Sequence, residues 1–330
     1  MRNPHITQFF AQLGWKARLV MVLKVILTIY FLINHMLHNI IFNMKMYLSH
    51  FSAAAYWNIP YIDAVLGSEI TESEAVDFTV PENSSRFRKR CCRIHLCALD
   101  LPAGAVISRN GEAVASPELV FLQLASKLSI HKLILLGLQL CAYPPGKPSG
   151  AITTKKKLKA FLGKASGHRG QAKALRAVKY IEDGSVSVME SFVYMILTLP
   201  HALGGYGLGD AVFNYEINLK DEAGKRLGQQ RCFTDLYYKS AKLAIEYESF
   251  TFHNSPSEQG RDAVRASILD RHGVEVMHLS PIQLYDKNAC TDFVLNLASR
   301  LGKRIQIRTK KFNEMNALLR VLLPVRSSTG

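Results

Sequence analysis

Residues 231–253 read RCFTDLYYKSAKLAIEYESFTFH, and this run constrains the fold more than any other part of the chain. Two stretches rich in aromatic and β-forming residues, 231–238 and 242–248, flank the polar turn Lys239-Ser240-Ala241. That pattern predicts a β-hairpin. Side chains two apart on a strand point the same way, so Glu246 and Glu248 are expected on one face. Pairing the strands can bring Asp235 beside them. Carboxylates gathered in a sheet are costly unless a cation neutralises them, and oxygen-rich clusters suit Mg²⁺ or Mn²⁺. On spacing alone, a solvated strand face of alternating charge is the commoner reading.

The segments around this hairpin add to the reading. SVSVMESFVYMIL (185–197), TDLYY (234–238), AIEYESFTFH (244–253) and GRDAVRASILDRHGVEVMHLS (260–280) follow one another in order. Together they resemble the PD-(D/E)XK nuclease superfamily, in the branch related to very-short-patch-repair endonucleases. The resemblance implies a restriction-endonuclease-like α/β (α+β) fold, a mixed sheet over about 211–280 flanked by helices at 185–200, 257–271 and 287–301. It implies a DNA endonuclease that hydrolyses phosphodiesters with Mg²⁺ or Mn²⁺. Asp235 and Glu246 would be the metal ligands, Glu190 and Glu248 supporting carboxylates, and His253 a proton-transfer group. Arg261, Asp262 and Arg265 match a helix that braces the site or contacts phosphate. The chain departs from the pattern at Glu248, where the superfamily has Lys and this branch Asp, and at Ser249, where the branch has Gly.

Charge points to the same class of partner. The 330 residues carry 41 Lys and Arg against 26 Asp and Glu, a formal net charge of +15, which favours a polyanion and also fits generic solubility or a membrane-surface role. The excess is local: residues 155–179 hold nine cations and no acid. They read as two basic helices either side of Gly163–Gly170, with Thr153 or Thr154 as a cap. Lys155, Lys159, Arg169, Lys173 and Arg176 recur at helical spacings and could neutralise DNA phosphates without reading bases. A solvated surface fits the same pattern.

The rest of the chain divides by composition. Residues 1–46 contain an apolar run, 19–42, that reads as a membrane anchor, a buried helix or a misassigned start. Residues 47–150 contain YLSHFSAAAYWNIPYI (47–62), then strands at 76–80, 92–99 and 105–116, with Asn110-Gly111 as a type I′ hairpin turn and Ser116 capping a helix. This order is similar to the middle of AbiEi-type antitoxin regulators, which implies transcriptional regulation and a cognate toxin as a second partner. Residues 151–184 form a basic helical linker, 185–302 the nuclease-like domain and 303–330 a basic tail. Cys91, Cys92, His95 and Cys97 lie close together, but no second ligand pair completes a structural zinc site. The alternation in CCRIHLCAL predicts a strand with ordinary core thiols. Scattered cysteines with no disulfide framework fit a reducing cytoplasm. The Gly-rich HALGGYGLGD (201–210) follows no strand and reads as a loop rather than a nucleotide cradle.

Overall fold

The computed structural model describes residues 46–62, 75–218, 231–248, 265–307 and 310–324. The apolar run 19–42 lies outside them, as do His253, Arg261 and Asp262. Among the described residues, no helix is long and apolar enough to cross a membrane. The architecture is mixed α/β: two mixed sheets, of five and four strands, flanked by helices.

The first sheet contains β1 (Tyr47–Leu48), β2 (Val76–Val80), β3 (Cys92–Leu96), β4 (Val106–Arg109) and β5 (Glu112–Ala115), in the order β3-β2-β1-β5-β4. The two-residue β1 is central, pairing antiparallel with β2 and parallel with β5. Helix α1 (His50–Tyr56) leaves it directly. The β4–β5 turn has Asn110 at φ 54 and Gly111 at φ 81, the two positive values that a type I′ turn requires. Helix α2 (Pro117–Ala125) starts where Ser116 accepts the Leu119 N–H at 3.2 Å. The expected core thiols are corrected here. Cys91 is exposed and Cys92 and Cys97 are only half-buried: Cys91 lies in the turn before β3, and β3 is the edge strand of its sheet.

The main core is one continuous buried cluster with members from Tyr47 to Leu323. Its centre is α3 (Ile130–Leu140), sequence IHKLILLGLQL, where Leu133 to Leu136 are wholly buried. A helix apolar all round must be enclosed. Gly137 lets another segment approach, since a Cβ there would overlap the Ile181 side chain. The basic stretch forms α4 (Lys155–Lys164) and α5 (Gln171–Val178). Both are docked rather than free-standing: Leu158, Phe161 and Leu162 of α4 and Ala174, Ala177 and Val178 of α5 join the main core.

Helix α6 (Val188–Thr198) precedes the second sheet, which comprises β6 (Ala211–Asn218), β7 (Arg231–Tyr238), β8 (Leu243–Tyr247) and β9 (Glu275–Leu279), in chain order. The β6-β7 and β7-β8 pairs are antiparallel and β8-β9 is parallel. A parallel pair needs a crossover, and the helical run 265–271 lies within that connection. One sheet face packs on the main core. The other carries a smaller cluster that includes Ile268 and Leu269 of that run.

Among the described residues, three helices follow β9: α7 (Pro281–Tyr285), α8 (Lys287–Arg300) and α9 (Lys310–Arg320). The last lies in the stretch read as a basic tail, yet its Phe312 and Leu319 are core residues. The Gly-rich loop receives it. At Gly204, φ 79, a Cβ would run into the backbone of Met315 and Asn316, while the Asn316 amide donates to Gly204 O at 2.8 Å.

Candidate functional site

The carboxylates gather where the second sheet's regularity breaks. On β6, Phe213 belongs to the main core and Ile217 to the smaller cluster; on β7, Leu236 belongs to the main core and Cys232 to the smaller one. Residues four apart on a regular strand share a face, so both strands exchange faces in between. The break on β6 is Asn214, at a left-handed φ of 45, a conformation that Asn tolerates better than most residues. The flanking pairs Phe213↔Leu236 and Tyr215↔Thr234 put Asn214 across from Asp235.

The β7–β8 ladder stops at the same level. Its last pair is Leu236↔Ile245, and one step on Asp235 stands opposite Glu246. There the Tyr247 N–H donates to the Asp235 carboxylate at 2.9 Å, so a side-chain bond takes the place of a ladder bond. Glu246 is paired in turn with His278 of β9. Asn214, Asp235, Glu246 and His278 therefore form one row across four strands.

Glu190 reaches this row from the first turn of α6. The Ser187-x-x-Glu190 spacing is that of a capping box. Ser187 accepts the Glu190 N–H at 3.1 Å, and the Glu190 carboxylate accepts the Val186 N–H at 3.0 Å. The Asn214 amide bridges the Glu190 carboxylate, 3.3 Å, and Gly184 O, 2.7 Å. Arg265 enters from the opposite face. Its guanidinium donates to Glu246 at 2.8 Å, to Phe233 O at 2.6 Å and to Cys232 Sγ at 3.3 Å. Arg265 thus braces the sheet from within.

The three carboxylates lack sufficient countercharge. Burial raises Glu190 to about 7, and the Asp235 charge adds to the shift. Burial and then Asp235 raise Glu246 to about 8, against the pull of Arg265. Burial also raises Asp235, although Tyr247 N–H and Arg265 oppose it. Hard oxygen donors with surplus negative charge match Mg²⁺ or Mn²⁺ in chemistry. Among the described residues, however, no group of three or more His, Cys, Asp or Glu side chains is arranged as a ligand set. Asp235 and Glu246, which face each other across β7 and β8, are the two carboxylates that the resemblance marks as metal ligands.

The remaining residues singled out in the sequence are dispersed. Glu248 is half-buried and contacts His278 Nδ1 at 3.1 Å, at the margin of the row. Lys155 pairs with Glu182 at 3.1 Å, and Lys173 donates to Leu128 O at 2.9 Å. Lys159, Arg169 and Arg176 are exposed on the outer side of α4, its following loop and α5. Asn214 was not legible as a site residue, because nothing in the β-forming run AVFNYEIN marks a break except the Asn itself. Comparison with protein-family models, curated proteins and solved structures finds no match.

Proposed function

We propose that this protein is a DNA-binding, metal-dependent endonuclease of the PD-(D/E)XK type, with a role in prokaryotic defence or mobile-element control in the cytoplasm. The observation that carries the reading is the electrostatic coupling of Glu190, Asp235 and Glu246, buried carboxylates from three separate elements, where the β7–β8 ladder stops and the Arg265 guanidinium reaches Glu246. Such an opening costs ladder bonds and stacks like charges, a combination that a purely structural sheet has no reason to keep. Asp235 and Glu246 would hold Mg²⁺ or Mn²⁺, which when bound supplies a Lewis acid for the scissile phosphate. Glu190, near-neutral in its buried position, would hold or pass the proton of the attacking water. Lys159, Arg169 and Arg176 would neutralise backbone phosphates. His253, Arg261 and Asp262 keep the roles that the resemblance gives them, outside the described residues.

A second reading rests on Arg265. Its guanidinium already pairs with Glu246 at 2.8 Å, as expected if an AbiEi-like regulator keeps this fold to bind DNA or a cognate toxin without cutting. One experiment separates the two: incubation of the purified protein with plasmid, phage and single-stranded DNA, in Mg²⁺, Mn²⁺ or EDTA. Cutting that requires metal supports the nuclease. Retention of DNA with no cutting in any metal supports the regulator.

A further inference from the structure

The soft donors between residues 91 and 97 go three separate ways. The His95 imidazole is held by the buried Asp77 carboxylate at 2.7 Å and stacks on His50 at 3.7 Å between ring centroids. Cys97 faces His168 Nδ1 at 3.8 Å. Cys91 and Cys92 instead face each other, Sγ to Sγ 3.7 Å. Neighbouring residues on an extended strand point to opposite sides, so convergence needs a turn. It is present: the Cys92 N–H donates to Lys89 O at 3.1 Å, with Arg90 and Cys91 at the corner.

The separation is informative. A disulfide holds its sulfurs about 2.05 Å apart. Two metal–thiolate bonds of about 2.3 Å at a tetrahedral angle place them about 3.8 Å apart. The 3.7 Å contact of the two thiols excludes the first spacing and already matches the second, so both sulfurs can reach one ion without moving apart; Cys91 is exposed, and the turn leads into an edge strand.

We propose that Cys91 and Cys92 form a chelating site for a soft thiophilic divalent cation, separate from the carboxylate site. Binding forms two metal–sulfur bonds, breaks two S–H bonds and releases two protons, with no electron transferred. Two protein ligands leave further positions for solvent or an external thiol, so the site exchanges its ion rather than locking it in. The proposal is independent of the nuclease reading, because it concerns another sheet and another class of donor.

The test titrates Cd²⁺ into the reduced, metal-free full chain and follows thiolate-to-cadmium charge-transfer absorption in the ultraviolet, a band that carboxylates do not produce. The expected result is a rise that saturates at one equivalent and persists in excess Mg²⁺. Cys91→Ser and Cys92→Ser should each weaken uptake at least tenfold, and Cys97→Ser should leave it unchanged. The exposed Cys91 is replaceable without disturbing packing, so Cys91→Ser decides the matter even if Cys92→Ser misfolds. Saturation unchanged in Cys91→Ser, no band in the wild type, or loss in Cys97→Ser equal to that in Cys91→Ser would each overturn the assignment.

Discussion

Asp235 carries the central prediction at the scale of single residues. Burial raises both Glu190 and Glu246, and the Asp235 charge adds to each shift. Asp235→Asn keeps the shape and removes that repulsion, so the metal-free protein should be equally or more stable, by about 1 kcal/mol for each pKa unit relieved. Mn²⁺ affinity measured by calorimetry should fall at least tenfold, cleavage should be lost, and DNA binding should persist. Equal Mn²⁺ affinity in the two proteins would remove the metal-site assignment. Glu246→Gln should behave alike. Glu248→Gln should change little, since Glu248 lies at the margin of the row and is engaged with His278. Asn214→Ala removes the amide that ties Glu190 to Gly184 O while retaining the left-handed backbone demand. A loss of about 1–3 kcal/mol is expected on urea unfolding; Asn214→Gly should lose less, because Gly relieves the backbone.

At the scale of elements, α4 and α5 separate two uses of positive charge. Lys155 and Lys173 hold Glu182 and a backbone carbonyl, whereas Lys159, Arg169 and Arg176 face solvent. Replacing the exposed three with Gln should flatten the slope of log affinity against log salt by about 3, at roughly one unit per phosphate contact. Replacing Lys173 should instead lower stability. An unchanged slope in the triple variant would make these helices a solvated face only. The Gly-rich loop supplies a third case. Gly204→Ala demands a left-handed φ and pushes a methyl into the α9 backbone. Overpacking of this kind costs about 1–3 kcal/mol, and the backbone conformation adds to it, so thermal melting should shift down by several degrees.

The whole molecule should report the carboxylate site through its pH dependence. Glu190 and Glu246 have folded values near 7 and 8, above the ordinary carboxylate value of 4.5. The folded state then binds more protons than the unfolded state across that window. Stability is greatest below about pH 4.5 as far as these groups are concerned, and it falls as pH rises towards 8. Saturating Mg²⁺ should remove the decline if it binds the charged forms. Chemical melts at pH 5, 6, 7 and 8, with Mg²⁺ and with EDTA, check both statements. A decline untouched by Mg²⁺ would favour the non-catalytic regulator, in which Arg265 already serves as the cation.

The local grammar of the chain determined a good deal by itself. The β-rich runs at 231–238 and 242–248 with the turn between them, the Asn110-Gly111 turn, the Ser116 cap and the α/β class are all short-range consequences of side-chain shape and hydrogen bonding, while the choice of Thr154 over Thr153 as the α4 cap was made by the structure. The carboxylates Asp235 and Glu246 were legible too, because adjacent strands joined by a tight turn leave few registers. Tertiary structure alone decided what lies across from them. The face exchange at Asn214 and Asp235 arises from the docking of two clusters on opposite sides of one sheet, and no residue spacing encodes it. Arg265 reaches Glu246 only after the β8–β9 crossover returns to the sheet. The turn that brings Cys91 to Cys92 overrides the alternation that predicted core thiols. In each case the deciding partner is distant in the chain or the deciding backbone angle is held by packing, and neither quantity is carried by a periodic pattern.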